Sequence, residues 1–111
     1  KIDWAIIKYQ GIQKVKRGEK ITFLPFSSIY FPEEKWDLVF WDESGMVFMK
    51  KGLMNLKSFK FNPEVPDYLV YLIKNNQIKK EEVINEIEEK LHQNPDCKRA
   101  KKLWGQVLNL D

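Results

Sequence analysis

A chain of 111 residues with 43% hydrophobic and 14% aromatic side chains is too apolar for intrinsic disorder and long enough for one domain, burying roughly two-thirds of its unfolded surface around a single core. One cysteine and one histidine exclude an internal disulfide and any multi-histidine or cysteine-rich metal site. No apolar run approaches the ~20 residues of a membrane helix, and the net charge of +3 permits an anionic partner without requiring one.

Ile2 to Tyr9 (IDWAIIKY) is apolar on both faces and rich in aromatic and β-branched residues, which predicts a strand in the middle of a sheet. Lys14 to Lys20 is a basic stretch with Gly18 as a turn signal, and Ile21 to Leu24 follows as a short strand. The segment PFSSIYFP, residues 25 to 32, is bracketed by prolines that cannot donate to a ladder. It is expected to lay Phe26, Ile29, Tyr30 and Phe31 over something apolar.

Trp36 to Trp41 and Met46 to Lys50 flank Asp-Glu-Ser-Gly and predict a β-hairpin, with Gly45 as the left-handed residue that closes a type I turn plus bulge. Strict alternation would put Trp36, Leu38 and Phe40 on one face and Val39 and Trp41 on the other. Both faces are then apolar and both are expected to be covered.

After a linker at 51 to 63 the periodicity becomes helical. Helices are predicted at about 66–74, 80–92 and 95–109, the first opened by Pro66. The second carries Val83, Ile84, Ile87 and Leu91 on an inner stripe, with Glu86 and Lys90 paired on the outer face. The third starts with Asn94 as N-cap and turns Cys97, Ala100, Trp104 and Val107 or Leu108 inward, with Gly105 letting two backbones approach. Strands followed by helices make an α+β fold: a small β-rich part at 1–62 and a helical part at 63–111 packed on it as one domain. The basic excess lies wholly in the first part, with 11 basic and 7 acidic residues before Pro63 against 8 and 9 from there on.

The stretch EEVINEIEEKLHQNPDCKRAKKLWGQVL resembles the junction between two tetratricopeptide repeats. Val83 stands at the small-residue site of one helix, Ile87 at its aromatic site, Pro95 at the closing proline and Trp104-Gly105 at the Leu-Gly of the next helix. Val83 and Lys90 replace the usual alanines, and Tyr68 to Lys74 lacks the glycine of a first helix. One and a half such repeats are too few for a solenoid, so the helices are expected to lean on the sheet. The first part has its own resemblance. Ile2-Asp3-Trp4, the Pro-flanked loop, Trp36-Asp37-Leu38-Val39-Phe40-Trp41-Asp42-Glu43 and Met46-Val47-Phe48-Met49-Lys50-Lys51 are similar in pattern and order to the soluble C-terminal region of multi-spanning bacterial membrane proteins of the GT-C (lipid-phosphate-sugar) glycosyltransferase superfamily. In that superfamily the catalytic acids sit in loops of the membrane part, so no catalytic residue is carried over.

Among single residues, Asp42 and Glu43 fall in the hairpin turn, where acids bond nearby backbone N–H groups, and neither they nor Asp37, Glu33 and Glu34 have a histidine or acidic motif spaced to join them. His92 reads as a surface cation near a helix C-terminus and Cys97 as a small buried hydrophobe. Lys14, Lys16, Arg17, Lys20, Lys50 and Lys51 are the candidate contacts to an anionic surface; Trp36, Phe40, Trp41, Phe48 and Trp104 are the expected structural anchors.

No catalytic site, cofactor or metal is expected, and neither nucleic acid nor a small-molecule substrate. The chain reads as a non-catalytic extramembrane accessory domain of a larger, membrane-embedded glycosyltransferase-like protein, on the extracytoplasmic side or, as the alternative, the cytoplasmic one. Its expected partners are the membrane part of its own parent chain or another protein; for the basic residues an anionic lipid surface is the candidate contact, set against the alternative of an ordinary solvated face. The alternative is a protein–protein interaction module built on the degenerate repeat helices.

Overall fold

Period-two alternation in the first half and a 3.6-residue period in the second yield five strands and four helices in a computed structural model that describes residues 3–53 and 58–110. In chain order these are β1 (Trp4–Lys8), β2 (Ile12–Arg17), β3 (Lys20–Pro25), α1 (Phe26–Tyr30), β4 (Trp36–Trp41), β5 (Gly45–Lys50), α2 (Pro66–Lys74), α3 (Lys80–Gln93) and α4 (Lys98–Leu108). The fold is α+β. Ile2 and the linker residues 54–57 lie outside the described residues.

Two antiparallel sheets form, one of three strands in the order β1-β5-β4 and one a two-stranded ribbon of β2 and β3. The first strand is therefore at an edge, not in the middle as its composition predicts. Its register explains why it is apolar on both faces. Ala5 and Ile7 lie opposite Phe48 and Met46 in the rows that enter the core, whereas Trp4 and Ile6 lie opposite Met49 and Val47 and stay 57% and 69% exposed.

The β4–β5 hairpin forms as expected, but not with strict alternation. Leu38 pairs with Phe48 and Phe40 with Val47, so Val39 is an extra residue, a β-bulge. A bulge shifts the face of everything beyond it by one residue. Leu38 and Trp41, three apart, are both buried, while Phe40 turns out and is 47% exposed. Covering of both sheet faces is likewise not realised, since one face meets the helices and the other keeps Trp4 and Ile6 in the open.

The core joins the inner sheet face to the helical stripes: Leu38, Trp41, Met46 and Phe48 pack with Phe61, Leu69, Val83, Ile87, Cys97, Ala100, Leu103 and Val107. Trp41 meets Phe61 and Phe59 edge-on, with ring centroids 5.9 and 6.3 Å away. Phe31, delivered by the short helix between the two prolines, stacks on Phe48 at 5.1 Å and meets Trp36 edge-on at 5.0 Å. Tyr30, expected to pack with it, is exposed.

Pro66 occupies the first turn of α2 with Asp67 beside it and Lys74 in the last turn, in keeping with the helix dipole. The last helix starts later than its sequence predicts. Asn94 closes a turn, its carbonyl accepting from Cys97 N–H at 3.1 Å and its side-chain oxygen from Asp96 N–H at 3.3 Å, and α4 begins at Lys98. Its buried residues are Ala100, Leu103 and Val107; Trp104 is only half-buried against them and Leu108 is exposed.

Two glycines also differ from their expected roles. Gly45 is not left-handed. It is the first residue of β5, opposite Lys8, where an added Cβ would fall 2.4 Å from the Ile7 carbonyl oxygen. Gly105, expected to admit a neighbouring backbone, has open space where its Cβ would be. Gly45→Ala should therefore destabilise the chain, because its neighbour is rigid backbone of β1. Gly105→Ala, within a helix, should stabilise it by about 0.5–1 kcal/mol. Equilibrium urea unfolding of the two variants measures both signs.

Candidate functional surfaces

The fold buries several polar groups, and their partners decide whether they form a reactive centre. Glu64, at the entry to α2, is the most enclosed of the carboxylates. One of its oxygens accepts from the Ser27 N–H and hydroxyl at 2.8 Å each; the other accepts from Gln10 N–H at 2.8 Å and Gly11 N–H at 3.3 Å. Asn62 supports the arrangement, donating to the Ser27 hydroxyl and accepting from the Glu64 N–H at 2.8 Å. Arg99 of α4 donates to the carbonyls of Pro63 and Glu64 at 2.9 and 3.1 Å and lays its guanidinium over the Tyr9 ring, 3.5 Å from the centroid. Tyr9 in turn donates to the Asp42 carbonyl at 2.5 Å, and burial raises its phenol well above the usual value, against the opposing pull of Arg99.

On α3 the expected outer pair lies inside. Glu86 accepts from the Lys60 N–H at 3.0 and 3.1 Å, and the Lys90 ammonium stands over the rings of Phe40, Trp41 and Phe59, 4.2, 5.1 and 5.7 Å from their centroids. Both residues are buried. Periodicity alone placed them wrongly because an aromatic cage and a backbone N–H satisfy these groups, and neither is visible in helix spacing. Burial lowers the Lys90 pKa from its ordinary value.

The acids and single nucleophiles singled out in the sequence do not converge. Asp42 accepts from Ser44 and Gly45 N–H at 2.8 and 3.0 Å, the turn chemistry expected of it. Asp37 pairs with Lys51 at 3.1 Å, Glu33, Glu34 and His92 are exposed, and Cys97 is fully buried. Among the described residues no three His, Cys, Asp or Glu side chains are grouped to hold a metal. An open groove of about 770 Å³ lies between the sheet and α2–α3, lined by Phe31, Trp36, Phe59, Tyr68, Leu72 and Glu82 among others.

The six candidate cations divide. Lys50 faces Asp3 at 3.9 Å and Lys51 faces Asp37, both at the end of β5. Lys14, Lys16, Arg17 and Lys20 are brought together on the β2–β3 ribbon, exposed and with no ion pair among the described residues. The ribbon turns through Gly18-Glu19, with Gly18 at φ 63°, where the first position of a two-residue hairpin loop favours glycine. Four cations and one acid in residues 12–25 leave fifteen of each in the rest of the chain, so the whole net charge of +3 sits on this ribbon.

Known protein families, curated proteins and solved structures offer no match to this chain.

Sequence reading found the second strand of the ribbon, Ile21 to Leu24, but missed the first strand and the exposed apolar face that the pairing creates. Ile12, Ile21 and Phe23 are all exposed on it, and Phe23 and Ile21 lie directly opposite Lys14 and Lys16. The alternation of Ile12-Gln13-Lys14-Val15-Lys16, ended by glycine two residues before the next strand, was the available signal for β2.

The buried groups generate two expectations. Glu64→Gln presents an NH₂ to N–H donors and should cost about 1–3 kcal/mol in urea unfolding. Lys90→Met removes a desolvated cation and should leave neutral-pH stability unchanged or higher. Because the folded-state pKa of Lys90 is depressed, the unfolded chain binds more protons in the window between that pKa and about 10.4, so this lysine makes stability rise with pH there. Stability curves of the parent and Lys90→Met should converge toward the alkaline end of that window.

Proposed function

We propose that this chain is a non-catalytic extramembrane domain of a larger, membrane-embedded glycosyltransferase-like protein, which docks on a surface rather than carrying out a reaction. The observation that carries this reading is the distribution of charge: a folded body with no net charge bears a ribbon that holds the full excess of cations, none of them paired among the described residues. The buried polar groups support it from the other side. Glu64, Glu86, Arg99 and Tyr9 are engaged with the chain's own backbone, and Lys90 with its own aromatic rings.

The order of β1, β4 and β5 motifs that resembles the C-terminal region of GT-C proteins supports the membrane-embedded parent in this reading, with the extracytoplasmic side as the first choice and the cytoplasmic side as the alternative. No helix among the described residues is long and apolar enough to cross a membrane, so in this reading the membrane-spanning helices belong to the rest of the parent. The alternative of a partner-binding repeat module has less to use. The inner faces of α3 and α4, with Val83, Ile87, Leu103 and Val107, are spent on the core.

The coding sequence ahead of Lys1 tests the proposal. Several apolar stretches of about 20 residues upstream are the expected result. A parent with none would overturn the membrane-embedded reading and promote the interaction module.

A further inference from the structure

We propose that the β2–β3 ribbon is a membrane finger, which lays the face carrying Phe23 and Ile21 into the interface of an anionic bilayer while Lys14, Lys16, Arg17 and Lys20 hold the lipid phosphates. This deepens the docking reading above and rests on it for the presence of a nearby membrane.

Register and exposure define the finger. Lys14 is paired with Phe23 and Lys16 with Ile21, so apolar and cationic side chains stand side by side on one face, every one of them exposed. Phe23 is 57% exposed. The alternate residues Gln13, Val15, Thr22 and Leu24 are half-buried on the opposite face, and Arg17 and Lys20 meet across the tip. Among the described elements the ribbon's main neighbour beyond its own pairing is α1, and its cationic face is exposed along its length.

Its two feet are fixed. Gln10 and Gly11 precede β2, Ser27 follows β3, and all three are gathered by the Glu64 carboxylate, while Phe26 N–H donates to the Gly11 carbonyl at 2.9 Å. The ribbon is thus a presented element rather than a loose loop.

The chemistry of that face selects the occupant. Lysines beside an aromatic and a branched aliphatic residue suit a bilayer interface, where the aliphatic stems and rings enter the acyl boundary and the ammonium groups reach back to the headgroups. Duplex nucleic acid would match the charge, and Arg17 at the tip could reach a base edge, but Phe23 and Ile21 in the middle of the face offer no hydrogen bond to a groove and would stay exposed against it. Single strands need a row of stacking rings, and this ribbon has one aromatic residue. An acidic protein surface is the remaining competitor.

Vesicle partition of the 111-residue chain decides the matter. Phosphatidylglycerol–phosphatidylcholine vesicles should bind it in a salt-sensitive way and pure phosphatidylcholine should bind it much less. Each of Lys14→Gln, Lys16→Gln, Arg17→Gln and Lys20→Gln should lower partition about five-fold, and Phe23→Ser about ten-fold or more. Phe23→Trp should keep binding and show emission that shifts blue and is quenched by brominated acyl chains. Far-UV circular dichroism confirms that each variant is folded.

Three results would overturn the proposal: partition unaffected by Phe23→Ser with no quenching of the introduced tryptophan; tighter binding to oligonucleotides than to vesicles; or no vesicle binding by the folded parent. The last, found together with apolar spans upstream of Lys1, would remove the lipid finger while leaving the docking reading standing.

Discussion

One buried carboxylate holds the architecture together. Glu64 lies just before the helices, yet its oxygens collect N–H groups from the chain immediately before β2 and immediately after β3. Gln10 and Gly11 lie in the β1–β2 connection and Ser27 in the first turn of α1, where no ladder or intrahelical partner is available, and a buried N–H without an acceptor costs free energy comparable to a lost hydrogen bond. A single side chain therefore closes the base of the ribbon and ties it to the helical part. Arg99, bonded to the carbonyls of Pro63 and Glu64, brings α4 to the same point, and Tyr9 beneath its guanidinium brings β1. Segments from residue 9 to residue 99 are joined there through hydrogen bonds and one cation–ring contact.

The bulge at Val39 is the second constraint. Without it, Trp41 and Leu38 would face opposite sides of β4; with it, both enter the core, and Phe40 is left half-exposed with its ring against the buried cation of Lys90. The sheet thereby becomes one-sided. Its inner rows are closed by helices and its outer rows, with Trp4 and Ile6, are left open. A three-stranded sheet carrying large apolar groups on both faces has no second layer of helices to cover the other side, because α2, α3 and α4 contribute to a single core.

Electrostatics divides the molecule along the same lines. Interior charges are few and matched to local donors, acceptors or rings, so their desolvation is offset within the fold. Outside the ribbon the cations and acids of the chain are equal in number. On the ribbon, four cations stand next to Phe23 and Ile21 with no acid but Glu19 at the turn, a combination that contributes nothing to the core and is suited to contact with an anionic, partly apolar surface.

The amino-acid sequence by itself determined the local elements. Proline at the start of α2, the period-3.6 stripe of Val83 and Ile87, the acids of the 42–44 turn and the aromatic hairpin are consequences of backbone stereochemistry and short-range hydrogen bonding, and they are legible from residue order. Tertiary structure alone decided which apolar face is covered, because Trp4, Ile6 and Phe40 have the same composition whether buried or not. It decided that Glu86 and Lys90 point inward, since their compensation comes from Lys60 and from rings on β4 and the linker. It decided the role of Gly45 through the nearness of Ile7 in another strand, and it assembled the cationic ribbon by pairing lysines with residues up to nine positions away. Interactions set by sequence neighbours can be read along the chain; those set by partners distant in sequence exist only once the chain has folded.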